Sequence, residues 1–215
     1  MKKGKLIVFE GTDGSGKATQ VKLLSDYLVK QKIAHEVISF PRYGENPYAN
    51  LIRSYLDGEL GSMEKVDPHL ISLAFAGDRF LAKNKIEKWL DSGKLVILDR
   101  YVSSNKAHMG AEMPDKERKE FIKWLDNLEY ETNQLPREDL VIFLHVGANL
   151  IQKNVKNKKG DILERDLIHQ KNTESIYLEL AKSPNWVTIN CMKNGKMRPK
   201  EDIHEDILKK LNKFL

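Results

Sequence analysis

Five short apolar runs punctuate the chain: Lys5 to Glu10 (KLIVFE), His35 to Phe40 (HEVISF), Lys94 to Asp99 (KLVILD), Asp139 to Val146 (DLVIFLHV) and Trp186 to Cys191 (WVTINC). Each is short and bounded by polar residues, as expected of strands buried on both faces in a parallel sheet. The stretches between them carry apolar positions at helical spacing. They predict helices over Gly16 to Lys32, Asn46 to Leu60, Pro68 to Ser92, Asp115 to Glu131, Leu163 to Lys182 and, closing the chain, Lys200 to Phe214. Alternation of strand and helix predicts an α/β fold: a three-layer sandwich with a five-stranded parallel sheet flanked by helices. Ligands of such sheets bind beyond the carboxyl ends of the strands, so those ends are where chemistry is sought.

A length of 215 residues suits one domain over 1–215, and 40% hydrophobic residues suffice for one substantial core. Thirty-six Lys and Arg against 31 Asp and Glu leave a formal charge of +5, a balance that attracts polyanions. Acidic residues interrupt the basic ones almost everywhere, however, and no basic arm flanks the domain, so a nucleic-acid partner is not expected. The apolar run Leu140 to Val146 is far short of a membrane span, and the start Met1-Lys2-Lys3 leads into only four apolar residues before Glu10. A single cysteine, Cys191, forms no intramolecular disulfide. These features point to a reducing, cytoplasmic setting without membrane attachment.

Two segments carry recognisable chemistry. The first strand runs into Gly11-Thr12-Asp13-Gly14-Ser15-Gly16-Lys17-Ala18-Thr19 and then a helix. Glycines let backbone N–H groups curl around an anion, the helix N-terminus adds positive character, and Lys17 reaches the terminal phosphates of a nucleotide. The strict pattern places Ser or Thr directly after the lysine to help hold Mg²⁺, whereas this chain has Ala18 there and Thr19 one place on. A hydroxyl moved by one residue points about 100° away around a helix, which leaves the usual magnesium ligand open. The third strand ends in Asp99-Arg100. An aspartate at that edge either binds Mg²⁺, directly or through water, or pairs with Arg100 to cap the strand; beside a phosphate loop the first reading leads.

The wider series of motifs resembles the thymidylate kinase family of P-loop nucleoside monophosphate kinases. The resemblance is carried by Glu10 to Thr19 (EGTDGSGKAT), Phe40 to Tyr43 (FPRY), Phe75 to Arg79 (FAGDR), Asp99 to Asn105 (DRYVSSN), Asp161 to Asp166 (DILERD) and Tyr177 to Ala181 (YLELA). It implies an enzyme that phosphorylates dTMP to dTDP with ATP and Mg²⁺, and a homodimer. It also implies roles for particular residues. Gly11 to Thr19 would hold ATP, with Lys17 on its phosphates; Phe75 would stack on the thymine and Arg79 would reach its O4. An aromatic and a cation four residues apart on a helix share one face, which suits a flat base. Arg42, Tyr43 and Arg100 would hold the acceptor phosphate, Asp13 would approach the deoxyribose 3′-hydroxyl and Asn105 the base.

Other positions are less settled by the resemblance. His108 stands where many relatives carry tyrosine, which leaves sugar selectivity open. By the resemblance, the lysine-rich stretch Gln152 to Lys159 would fall in a small mobile lid over about 152–163. Lys153, Lys156, Lys158 and Lys159, with Arg165 just beyond, would neutralise the transferring phosphoryl group, Lys156 and Lys158 in a catalytic role; a plain solvated face is the other reading. Asp161 would touch substrate and Glu164, with Asp99 and Asp13, would serve the metal. The loop Met192 to Pro199 falls where relatives pack adenine. A kinase for another nucleotide, or a P-loop switch without phosphoryl transfer, are the competing classes.

Overall fold

The computed structural model describes residues 3–61, 65–147 and 166–214. Five parallel strands, β1 (Lys5–Glu10), β2 (His35–Ser39), β3 (Leu95–Asp99), β4 (Leu140–His145) and β5 (Trp186–Asn190), lie in the order β2-β3-β1-β4-β5. The helices are α1 (Lys17–Lys30), α2 (Pro47–Leu56), α3 (Pro68–Asp91), α4 (Val102–Ala111), α5 (Asp115–Asp126), α6 (Leu167–Leu180) and α7 (Lys200–Phe214). A π turn at Asn127–Thr132 extends α5, and two short antiparallel strands, β6 (Met192–Lys193) and β7 (Lys196–Met197), precede α7. The α/β sandwich expected from the apolar runs is therefore the fold.

The central strands divide their side chains strictly between two layers, because successive residues of a strand point to opposite faces. Ile7 and Phe9 of β1, Leu95 and Ile97 of β3, and Leu140, Ile142 and Leu144 of β4 pack with Val21, Leu24 and Leu28 of α1 and Ile203, Ile207 and Leu211 of α7. Leu6, Val8, Val96, Leu98 and Val141 face the other way, onto Ala82, Ile86 and Leu90 of α3 and Val102 of α4. A third cluster ties α2, α3, α4 and α5 together through Ile52, Tyr55, Ile71, Ala74, Met109, Phe121 and Leu125. It builds a second story of helices above the carboxyl edge of the sheet. Gly77 permits the tightest approach within it, since a Cβ there would lie 2.7 Å from the ring of Tyr48 on α2.

One helix was not legible in the apolar pattern. Residues 102–111 (VSSNKAHMGA) are buried on every side of α4. A helix without a solvent face has no amphipathic period to detect. Its polar side chains are instead paired inside the protein, and several of them belong to the site.

Candidate active site

The site forms where β1 and β3 end side by side. Their parallel register places Phe9 opposite Asp99, and the Arg100 amide donates to the Phe9 carbonyl at 3.0 Å. Beyond β1 the phosphate loop turns through Gly11, Gly14 and Gly16 at φ of 147°, 75° and 91°, values that side chains resist. At Gly11 a Cβ would also strike the Leu144 carbonyl oxygen at 2.6 Å. The loop wraps the Lys17 ammonium, which donates to the Gly11 and Thr12 carbonyls at 2.9 Å each. Burial and the positive charge of Arg100 push the Lys17 pKa down to about 8, against the pull of Asp13, Asp99 and Glu10. The hydroxyls of Thr12 and Ser15 are buried with no hydrogen-bond partner. Ala18 and Thr19 are both exposed.

Arg100 is the hub of the site. It leaves β3 with φ of 69°, a left-handed conformation uncommon outside glycine and costly enough to signal constraint from its surroundings. Its Nη2 pairs with Asp13 of the loop, while its Nη1 donates to Ser104 Oγ at 3.1 Å and to His108 Nε2 at 3.2 Å. Burial disfavours the Asp13 carboxylate, but Arg100 and Lys17 outweigh it and hold the group well below the usual carboxylate range. A guanidinium only donates, so His108 Nε2 is the acceptor and its proton resides on Nδ1. Burial, reinforced by Arg100, keeps the His108 pKa well below the ordinary histidine value. The ring lies 5.8 Å from that of His169 on α6, whose Nδ1 faces the Glu112 carboxylate.

Beside Arg100 opens a cleft. Asp13, Tyr43, Phe75, Arg100, Asn105 and His108 all contribute to its wall, together with Pro41, Leu56, Ser104 and Met109. Half-buried Phe75 from α3 and Met109 from α4 make it apolar at one end; Asp13 and Arg100 make it polar at the phosphate loop. Residues from five separate segments of sequence thus meet in one cavity.

Two arginines that the motifs assign to the substrate are each paired with a carboxylate. The guanidinium of Arg42 is held by Asp78 of α3: Nε donates to Oδ1 at 2.9 Å and Nη2 to the main-chain carbonyl at 2.7 Å, while the Arg42 amide donates to Oδ2 at 2.9 Å. Arg42 is mostly buried and lies next to the wall residues Pro41 and Tyr43, not on the wall. Arg79 lies deeper. Its guanidinium is fully buried, pairs with Glu129 on the π turn and approaches the Tyr101 carbonyl at 3.5 Å. A cation taken out of water needs a buried anion, and the Glu129 carboxylate, itself fully buried, takes its Nε and Nη2.

Sequence reading gave no role to the residues that hold the hub. Glu10, fully buried at the end of β1, accepts from the Tyr101 and Ser104 amides at 2.9 and 3.0 Å, from Ser104 Oγ at 2.6 Å and from the Tyr177 hydroxyl at 2.8 Å. It thereby stitches the start of α4, and the Arg100 just before it, to the central strand. The signal available was a charged residue terminating an apolar strand. Asp78, Glu129 and Ser72 gave none, because their partners are 33 to 50 residues away in sequence. Asp99 stands at the carboxyl end of β3, half-buried and close enough to attract Lys17 and Arg100 electrostatically. Lys153, Lys156, Lys158, Lys159, Asp161, Glu164 and Arg165, with the lid, lie outside the described residues. Among the described residues no group of three or more His, Cys, Asp or Glu side chains could by itself enclose a metal ion, and no helix is long and apolar enough to cross a membrane.

A glycine-rich loop between the central strand and α1, an Asp-Arg pair closing the neighbouring strand and a cleft beside them define a P-loop nucleotide-binding protein. The particular family is equally distinct. Residues 9–207 match the thymidylate kinase family model, and the chain belongs to that family. It is 32% identical to the thymidylate kinase of Mycobacterium tuberculosis (strain CDC 1551 / Oshkosh) over 183 residues, covering 82% of this chain and 85% of the relative. It is also 32% identical to the thymidylate kinase of Plasmodium falciparum over 213 residues, covering 99% and 92%. The fold is that of a solved thymidylate kinase from Candida albicans, at TM-score 0.76 and 24% identity over 99% of this chain and 93% of that one.

Proposed function

We propose that this protein phosphorylates dTMP to dTDP with ATP and Mg²⁺, as a single domain over 1–215. The observation that carries this reading is that Asp13 belongs both to the phosphate loop and to the wall of the Phe75/Asn105 cleft, so donor and acceptor sites share a border. Family membership over residues 9–207 supports the same reaction.

In this reading Phe75 stacks on thymine, Asn105 meets the base edge, Tyr43 and Asp13 flank the sugar and phosphate, and Arg100 draws the acceptor phosphate toward the donor. Arg42, held by Asp78, supports the same end of the cleft with its charge; Arg79 supports the base end from behind the wall, through its pair with Glu129. Gly11 to Thr19 take the donor, and Lys17 exchanges its bonds to loop carbonyls for phosphate oxygens. An acceptor phosphate is already an anion and needs no general base, so positioning and charge neutralisation are what the site must supply. Lys156 and Lys158, with the other lid lysines, are assigned by motif to that neutralisation, and Asp161 and Glu164 by motif to substrate and metal.

The residues present suit magnesium of the usual kind in such enzymes. Mg²⁺ keeps several waters and takes one or two carboxylates plus substrate phosphates, so Asp99 with the nucleotide suffices without a protein cage. Ala18 removes the common hydroxyl ligand, and the partnerless Ser15 and Thr12 hydroxyls are the polar groups the loop has left for a nucleotide or its waters. The bound ion neutralises developing charge on the phosphates.

Leu70, Leu73, Phe80 and Leu81 form one exposed apolar stripe on α3, beside exposed Tyr48 and Leu51 of α2, which supports a homodimer. We place the enzyme in the cytoplasm and give it no nucleic-acid partner. A coupled ADP-release assay over dTMP, dUMP, dCMP and the ribonucleotide of thymine tests the reading: dTMP-dependent release should dominate, and its absence would overturn the proposal. Light scattering of the intact chain and of a Leu73→Glu, Leu81→Glu variant tests the dimer, with a mass near twice 24.8 kDa expected for the first only.

A further inference from the structure

Three of the five segments that wall the cleft converge on one buried carboxylate, that of Asp78 on α3. Its Oδ2 accepts from the Arg42 amide at 2.9 Å, and its Oδ1 accepts from Arg42 Nε at 2.9 Å and from Asn46 Nδ2 at 2.7 Å. The first of these donors is main chain and lies between Pro41 and Tyr43, both of which line the cleft. Asn46 caps α2, its Oδ1 accepting from the Ala49 amide at 2.9 Å, so the third contact fixes the start of the helix that ends in the wall residue Leu56. Phe75, also on the wall, stands three residues before Asp78 on the same face of α3. Gly77, beside Asp78, lets α2 come this near, since a Cβ there would lie 2.7 Å from the Tyr48 ring. A further bond, from Arg42 Nη2 to the main-chain carbonyl of Asp78, depends on no side chain of α3, but the other three all end on the carboxylate.

We propose that Asp78 is a positioning residue for the acceptor nucleotide: its carboxylate sets the spacing between the Phe75 platform and the wall made by Pro41, Tyr43 and Leu56. The inference rests on the reading that this cleft holds dTMP. The role needs a carboxylate and not merely a polar group. Two oxygens serve three donors, and a carboxamide in their place turns its NH₂ toward at least one of them. An unpaired donor in a closed space is costly, so the segment that carries it shifts away from α3. The donor side keeps its own supports, because the phosphate loop follows β1 and closes on Lys17 and, through Asp13, on Arg100.

The test is Asp78→Asn, which keeps the volume and removes one acceptor, read in two ways beside the unmodified enzyme. The kcat/KM for dTMP should fall about ten- to a hundredfold, the effect of misplacing a substrate by about 1 Å, while the KM for ATP at saturating dTMP stays unchanged. Thermal melts, which need no turnover, should show the stabilising shift from dTMP diminished and that from ATP kept. Asn46→Ser retains a cap for α2 but withdraws the donor to Asp78, and should move the same constants in the same direction by a smaller factor. It also decides the matter should Asp78→Asn not fold. Equal losses for dTMP and ATP, or unchanged dTMP constants in a folded variant, overturn the proposal and leave Asp78 a packing residue. An unmodified enzyme with neither dTMP-dependent ADP release nor a melting shift from dTMP overturns the reading of the cleft itself, and the inference with it.

Discussion

The Tyr177 hydroxyl donates to Glu10 Oε2 at 2.8 Å and so joins the end of the central strand to a helix 167 residues later in the chain. Every group that touches this carboxylate is a donor: two main-chain amides of the turn into α4, the Ser104 hydroxyl and the Tyr177 hydroxyl. Burial raises the Glu10 pKa, while Ser104, Arg100 and Tyr177 pull it back. The carboxylate is therefore an anchor for the segment that carries Arg100, Asn105 and His108.

Glu10→Gln should accordingly damage both stability and catalysis. An amide NH₂ facing these donors leaves buried groups unpaired, at about 1–3 kcal/mol. The expected result is a lower urea midpoint with unchanged m-value, and a larger loss of kcat/KM for dTMP than Tyr177→Phe produces. Tyr177→Phe removes only one donor and should cost about 1 kcal/mol.

The buried Arg79–Glu129 pair makes a different prediction. Deleting one partner strands the other charge in the core, which typically costs about 3–5 kcal/mol, whereas replacing both with apolar residues is far milder. Arg79→Met and Glu129→Leu should each destabilise severely, and the double variant should be more stable than either. Chemical denaturation of the set checks this; strictly additive losses would show that the pair is not coupled.

Lys17 sets an alkaline limit on donor binding. Burial and Arg100 disfavour its charged form and bring its pKa down to about 8. Above that pH the ammonium loses its proton and with it the attraction for phosphates. The kcat/KM for ATP should therefore fall as pH rises through about 8, while kcat at saturating ATP holds to higher pH because bound phosphates favour the cation. A profile of both constants from pH 6 to 10 measures the separation.

His108 contributes in the acid direction. Its folded pKa lies well below 6.5, so below that value the unfolded chain binds a proton that the folded one refuses. Stability from this residue is complete above pH 6.5 and is lost as pH falls toward the folded value, with a slope of at most about 1.4 kcal/mol per pH unit. The groups facing it are Arg100, Asp13, His169 and Lys17, and Asp13 adds loss only at far lower pH. Thermal melts of His108→Gln between pH 4.5 and 7 should show a flatter acid limb than the unmodified protein.

The sequence by itself determined the sheet, the phosphate loop and the family. Apolar runs mark strands buried on both faces because sheets flanked by helices leave those strands no polar side. Gly11, Gly14, Gly16 and Lys17 are readable for a similar reason: a loop that wraps phosphate with its own backbone encodes the fit in contiguous residues. Tertiary structure decided the rest. Helix α4 is invisible to periodicity because it has no solvent face, and its polar residues find partners at Glu10, Ser72 and Arg100 that no local spacing reveals. Which arginine faces the cleft was likewise settled by distant carboxylates: Asp13 holds Arg100 on the wall, Asp78 draws Arg42 beside it, and Glu129 draws Arg79 behind it. A motif states that a cation is present, but its direction depends on the nearest buried anion, and that is a property of the packed chain.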